Sequence, residues 1–268
     1  MIGRAQPFHQ PPLPFIAIPT TAGTGAEVTR NAVLASPEHH VKVSLRSPLM
    51  LPRIALVDPE LTLELPARLT ASTGMDALTQ LLEPFVSVKA NPMTDSFCRD
   101  GLVRAGRSLR AAVRDGTDVE ARSDMALASL FGGFALANAG LGVVHGFAGP
   151  IGGRFDAPHG AVCAALLPAS VAINLKALQA RAADSGALGR YREAARLVTG
   201  RKRAEPEDLI EWLQALRKSL AIPGLASFGL KRDHFEDLIT QAARASSMKG
   251  NPITLKSNEL STLLSHSL

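Results

Sequence analysis

GLGVVHGFAGPIGGRFDAPHGAVCAALL, residues 140–167, is a run of small and apolar residues carrying two histidines, His145 and His159. Its flanks have a helical texture and little charge, so both imidazoles are expected to be buried. A buried imidazole needs a partner for each ring nitrogen. A cation would serve one of them, and the stretch therefore reads as half of a metal site. A satisfied core histidine is the alternative for His145. Pro158 suits the first position of a helix, which puts His159 in the first turn. There the helix dipole opposes imidazolium, keeping the ring neutral and ready to bind metal.

Upstream, Asp76 lies in STGMDALTQLLEPF, where Ser72 or Thr73 could cap the helix that follows. Asp76 and Gln80 are four residues apart and share a helix face, offset from the apolar stripe of Leu78, Leu81, Leu82 and Phe85. Alone, Asp76 also fits an acidic residue favoured by the positive end of a helix dipole. Combined with two histidines, its hard oxygen suits zinc or ferrous iron.

From Pro66 onward the pattern has a 3.6-residue period. Further stripes begin at Met125, Ala128 and Leu130, and continue over 164–178, over 208–220 with Trp212 and Leu216 inward, over 234–245 and over 259–264. Before Pro66 the texture is different. Phe15–Ile18 reads as a short buried strand, Val41–Leu45 alternates, and Ile54–Val57 is a third strand candidate, with turn signals between them. No complete βαβ unit is present, so the sheet lacks strands. The expected architecture is an incomplete α/β portion at 1–65 followed by an all-α domain at 66–268, without internal repeats or low-complexity segments.

After the first strand candidate comes PTTAGTGAEVT, residues 19–29. Its glycines permit close backbone approach, and the hydroxyls of Thr20, Thr21 and Thr24 can bond phosphate oxygens; a plain turn accounts for the residues equally well.

Composition narrows the function classes. The chain has 268 residues, 46% apolar, enough for a large core, and a formal charge of +5. Lys and Arg are scattered and aromatic residues make up only 4%, which argues against a nucleic-acid stacking platform. Arg201-Lys202-Arg203 precedes acidic residues and an amphipathic segment, as at a solvated helix entrance. Cys98 and Cys163 are far apart without a CxxC, so neither a disulfide framework nor a thiolate zinc site is expected, and a reducing cytoplasm fits. The apolar runs look too interrupted by Gly, Pro and Asn to span a membrane, and the first fifteen residues show no signal core.

The order PTTAGTGAEVT, ALVDPELT, TASTGMDALTQLLEPFVSVKANPMTD, NAGLGVVHGFAGPIGG, APHGAVCAALLP and SSMKGNP resembles the iron-containing (group III) alcohol dehydrogenases over nearly the whole chain. The resemblance implies a dehydroquinate synthase-like architecture, with an α/β dinucleotide-binding domain facing a helical domain and the metal and nicotinamide in the cleft between. It implies Fe2+ or Zn2+ on Asp76, His145 and His159, the two histidines fourteen residues apart as in the family. Gln80 stands where the family has a second, histidine ligand, and its neutral amide is a weaker donor. Gly149 stands where many members place a histidine near the substrate. Thr20, Thr21 and Thr24, with Lys42 near the nicotinamide ribose, are the implied binding residues for NAD or NADP. The family's Gly-Gly-Gly-Ser stretch, which wraps the cofactor pyrophosphate, would lie upstream of residue 1.

The implied activity is hydride transfer between NAD(P) and a small-molecule alcohol, aldehyde or ketone. No nucleic-acid or membrane partner is implied, and a homo-oligomer is compatible. The alternative is a truncated, inactive helical remnant that binds metal or oligomerises. A cyclising lyase of the dehydroquinate synthase type shares the architecture but matches these motifs less well.

Overall fold

The computed structural model describes residues 8, 10–36 and 41–268, with the side chains of 35, 36 and 41–43 outside the description. Two small strand pairs precede a helical body. Strand β1 (Ile16–Ala17) runs parallel to β4 (Ile54–Ala55), with Ile16 opposite Ile54. Strand β2 (Asn31–Ser36) pairs antiparallel with β3 (Val41–Arg46), Asn31 opposite Arg46. The expected strands at 41–45 and 54–57 correspond to β3 and to the shorter β4. The partner β2 was not anticipated, because NAVLAS lacks the polar–apolar alternation that marks a half-buried strand.

The expectation of a buried strand at 15–18 is corrected: Ile16 is 57% exposed, and Phe15 and Ile18 are also exposed. A parallel pair of two-residue strands has too little surface to cover its own faces, and among the described residues no layer covers these side chains.

Nine α-helices follow among the described residues: α1 (Ala67–Val86), α2 (Pro92–Arg114), α3 (Val119–Ala139), α4 (Val143–Arg154), α5 (His159–Arg181), α6 (Gly186–Thr199), α7 (Pro206–Ser219), α8 (Phe235–Ala243) and α9 (Ser257–Ser267). Local sequence explains several boundaries. Asn91 and Thr94 form a reciprocal capping box ahead of α2 with Pro92 at its first position, and Asp118 accepts from the Ala121 N–H to cap α3. Gly200 ends α6 in the left-handed conformation. The entrance to α7 carries the Arg201–Arg203 run on its exposed side, with Arg201 paired to Asp208 at 2.5 Å.

Helix α1 starts earlier than expected. Pro66 precedes it, and Ser72 and Thr73 lie inside it, their hydroxyls returning to the Leu69 carbonyl rather than capping an N-terminus.

The core is built around α1 and α5. Helix α1 packs on α2, α3 and α5, while α5 also meets α4, α7 and α9. The Leu78, Leu81, Leu82 and Phe85 stripe is fully buried, and so is the polar face bearing Asp76, Thr79, Gln80 and Glu83. Leu216 points inward, whereas Trp212 is half-buried beneath the Arg110 guanidinium, 5.5 Å from its ring centre. The expectation that no apolar run is long enough to cross a membrane also needs correction. Helix α5 passes by length and composition, because Gly160, Pro168 and Asn174 are accommodated within one helix. Its apolar stretch is 89% buried by the rest of the protein, as for a core helix.

Candidate metal centre

Asp76 is in the middle of α1, more than two turns from its start, so its position is not explained by the dipole at the helix N-terminus. It is 2% exposed, and among the described residues its Oδ1 has no hydrogen-bond partner. A buried carboxylate oxygen left in this way is costly unless a charge meets it. Helix α4 brings His145 Nε2 to 3.3 Å from that oxygen, and α5 brings His159 Nε2 to 3.6 Å. Neither contact meets hydrogen-bond geometry, and the three ligand atoms lie within 4.8 Å of one another. Gly160 allows this approach, since a side chain there would collide with the Ser72 carbonyl of α1.

The orientation of His145 comes from Glu83, two turns along α1 from Asp76 on the same face. Glu83 Oε2 lies 2.7 Å from His145 Nδ1, and Oε1 accepts from the Val144 N–H at 2.7 Å. A carboxylate only accepts, so Nδ1 carries the proton and Nε2 is directed at the cluster. The Val143 N–H is taken by Asn251 Oδ1 at 3.2 Å, and Asn251 is itself held by Asn174. Glu83 and Asn251 thus satisfy the first amides of α4, which Gly142 leaves without a side-chain cap.

His159 is in the first turn of α5, as expected, with Pro158 at the N-cap rather than the first helical position, but its side chain is 43% exposed. The expected burial of both rings therefore holds only for His145: one edge of His159 faces Asp76 while the rest lies open at the helix start. Its neutral state is not maintained by the dipole either. Its pKa is raised to about 9, with the interaction with Cys163 the largest cause and Asp76 adding to it, against burial. Burial would raise the Asp76 carboxyl, yet the charges of His159 and His145 hold it below the usual carboxylate range. Burial would lower His145, but Cys163, Asp76 and Glu83 raise it well above the ordinary value.

Cys163 was not anticipated at this site. The expectation of no thiolate near a metal rested on the lack of a Cys–Cys pair, yet the structure places Cys163 Sγ 3.7 Å from His159 Nε2 and 4.0 Å from His145 Nε2. Ligand atoms of Asp76, His145, His159 and Cys163 all lie within 4.8 Å of one another. The spacing of His159 and Cys163, one helical turn apart on α5, was the available signal, as was the seven-residue step from Asp76 to Glu83.

Gln80 is one turn beyond Asp76, and its amide donates to the Thr24 carbonyl at 2.7 Å. Its observed role is a tether for the PTTAGTGAEVT loop. The Gly25 N–H donates to Ser129 Oγ at 3.1 Å, and Gly25, at φ 58°, lies backbone to backbone against Gly133 of α3. Thr20, Thr21 and Thr24 are exposed on this anchored loop, and Gln80, its tether, is roughly 6 Å along α1 from Asp76 by helical rise. Lys42 pairs with Ala35 in the β2–β3 ladder, and β3 lies against α4; the Lys42 side chain is outside the described residues. Among the described residues, nothing lies within 4 Å of where a Cβ on Gly149 would sit.

Two family models match this chain: iron-containing alcohol dehydrogenase over residues 1–59, and the C-terminal part of the Fe-containing alcohol dehydrogenase family over residues 70–268. The chain belongs to the iron-containing alcohol dehydrogenase family. It is 36% identical to alcohol dehydrogenase 4 of Saccharomyces cerevisiae over 253 residues, 94% of this chain and 64% of that protein. It is 39% identical to 1,3-propanediol dehydrogenase of Klebsiella pneumoniae over 241 residues, 89% of this chain and 61% of that protein. Among solved structures, a 1,3-propanediol oxidoreductase superimposes with a TM-score of 0.89 at 34% identity, covering 97% of this chain and 68% of the other. The chain thus spans somewhat under two thirds of the length of these two relatives. The likeness supports an incomplete α/β portion joined to an all-α body.

Proposed function

We propose that the protein is, or is the larger part of, a metal-dependent oxidoreductase that transfers a hydride between NAD(P) and a small primary or secondary alcohol, or the corresponding aldehyde or ketone. The observation that carries this reading is the buried, unpartnered Asp76 Oδ1 facing His145 and His159. An orphan carboxylate oxygen with two imidazole nitrogens fits a divalent cation such as iron or zinc. Bound there, the ion would supply Lewis acidity towards a substrate oxygen.

The chain's own residues do the positioning. Glu83 fixes the tautomer of His145. Gln80, Ser129 and the Gly25–Gly133 contact hold the threonine loop beside the cluster, so that Thr20, Thr21 and Thr24 can meet nicotinamide-cofactor phosphates near the reacting centre. The hydride chemistry belongs to the cofactor. A relative of 34% identity is an NAD-dependent methanol dehydrogenase of Bacillus methanolicus, and a solved neighbour, a sulfoacetaldehyde reductase of Bifidobacterium kashiwanohense, is in complex with NAD+. Both favour NAD. We place the division between the cofactor-side portion and the metal-side domain at residues 65 and 66, and the two buried free thiols fit a reducing cytoplasm.

The competing reading, a remnant that binds metal but not cofactor, is favoured by the exposed Phe15, Ile16, Ile18, Ile54 and Leu56 on the strand pair. Titration of this chain with NAD and NADP, alongside metal analysis, separates the two. Binding in the roughly micromolar-to-millimolar range typical of enzyme ligands supports the dehydrogenase. Metal retention without cofactor binding at millimolar concentration overturns it in favour of the remnant.

A further inference from the structure

We propose that Cys163 Sγ is a fourth protein donor at this site, so that Asp76, His145, His159 and Cys163 together form a zinc-preferring set. The assignment rests on the metal-holding reading of Asp76, His145 and His159 given above, and extends it in donor number and metal class; a substrate oxygen would enter as a fifth donor.

Three observations carry it. First, Cys163 is fully buried within the core, and its sulfur lies close to two imidazoles: Sγ is 3.7 Å from His159 Nε2 and 4.0 Å from His145 Nε2. Second, the independent orphan, Asp76 Oδ1, points into the same space from the opposite helix. Third, the separations suit one small ion. Zinc bonds of about 2.0–2.1 Å to N or O and 2.3 Å to S, arranged tetrahedrally, place donors roughly 3.3 Å apart for N and O and 3.6 Å apart for N and S. The observed pairs are 3.3 and 3.6 Å for Asp76 with the histidines, and 3.7 and 4.0 Å for Cys163. The two remaining pairs lie within 4.8 Å, so side-chain adjustment closes the set around one ion.

The helix makes this a built arrangement. His159 and Cys163 are one turn apart on α5, so the same backbone that delivers the imidazole delivers the sulfur. A soft thiolate shifts preference towards zinc over ferrous iron, whose hard-to-intermediate sites favour carboxylate and imidazole. Two anionic donors, Asp76 and Cys163, also balance the charge of a divalent ion in a buried position.

Cobalt is the probe, because its tetrahedral complexes absorb in the visible, and a thiolate ligand adds an intense near-ultraviolet charge-transfer band. The metal-free chain is titrated with Co2+, then with Zn2+ in competition, for the native protein, Cys163→Ala, Cys163→Ser and Cys98→Ala. Expected are both absorptions in the native protein and in Cys98→Ala, and loss of the charge-transfer band with the visible bands retained in both Cys163 variants. Zinc affinity of the Cys163 variants should fall by more than the roughly 100-fold that marks loss of a strong supporting contact. Visible bands without a charge-transfer band in the native protein would overturn Cys163 as a donor while leaving the three-donor site standing. No cobalt or zinc binding by the native protein would overturn the metal reading itself, and the proposal with it. A charge-transfer band that survives in Cys163→Ser would also overturn it. Circular dichroism verifies folding, and the serine variant, close in size, stands in if alanine fails to fold.

Discussion

Replacing Glu83 by Gln removes one negative charge and little volume, and its consequences can be worked out atom by atom. Two N–H groups depend on this side chain, those of Val144 and of His145 Nδ1, each 2.7 Å from a different carboxylate oxygen. A glutamine has a single oxygen. If that oxygen stays with His145, the fully buried Val144 amide is left facing another donor, a loss of about 1–3 kcal/mol. If it stays with Val144, the amide group faces Nδ1. A neutral His145 then moves its proton to Nε2, which closes the nitrogen aimed at Asp76.

Either way, losing a negative charge at the start of α4 costs a further ~0.3–1 kcal/mol. Taking about 2.5 kcal/mol as the middle of the summed estimates, and about 2–4 °C per kcal/mol for a chain of this size, the metal-free Tm of Glu83→Gln should drop by about 5–10 °C. Zinc affinity should fall by about 10–100-fold, as for other partners that orient a ligating histidine. Thermal denaturation in chelator and a competitive zinc titration measure the two effects separately. An unchanged Tm together with unchanged zinc affinity would refute the argument that Glu83 orients His145 and holds the helix start.

Two further outcomes follow from the packing. At Gly149 a Cβ meets nothing within 4 Å among the described residues, and the residue lies in the interior of α4, so Gly149→Ala should raise stability by about 0.5–1 kcal/mol in chemical denaturation; a destabilised variant would show that the space is needed by the fold. Asp124 accepts from Arg104 and Arg107 at 2.7 Å and from Ser108 Oγ. Burial would raise its pKa, but the Arg107 and Ser108 hydrogen bonds hold it below the ordinary value. A carboxylate lowered on folding stabilises above its unfolded pKa, near 3.9, and loses that contribution as pH falls through the folded value. Asp124→Asn should therefore cost about 2 kcal/mol at neutral pH, with the deficit shrinking in acid; a deficit that stays constant to below about pH 2 would contradict the linkage.

Much of the helical body was legible from residue order. The 3.6-residue stripes marked α1, α5, α7, α8 and α9 because each buries a continuous face, and Pro158 marked the start of α5. Periodicity was less informative at the strands. β1 and β4 are two residues each, and their exposure depends on what lies over them, which a local pattern does not record. The Ser72/Thr73 cap failed for a related reason: hydroxyls that resemble a cap also bond back to the carbonyl a turn earlier inside a helix, and only the backbone path distinguishes the two.

At the site the same division holds. Asp76, His145 and His159 stood out because charged or ring-nitrogen side chains in apolar helical surroundings require partners, and that requirement is a property of the residues alone. Gln80, Glu83 and Cys163 acquired their roles from distance. Gln80 looked like a doubtful ligand and is a tether, because Thr24, far away in sequence, folds back to within 2.7 Å. Glu83 could have been an ordinary helix carboxylate until the start of α4 came to rest against it. Cys163 could have been a small apolar filler until α1, α4 and α5 crossed with its sulfur facing two imidazoles. Sequence determined the helical periods and which polar groups would need partners once buried. Tertiary structure decided which partner each received, because contacts across three helices depend on crossing points and close approaches, such as Gly160 against Ser72, that a linear pattern does not contain.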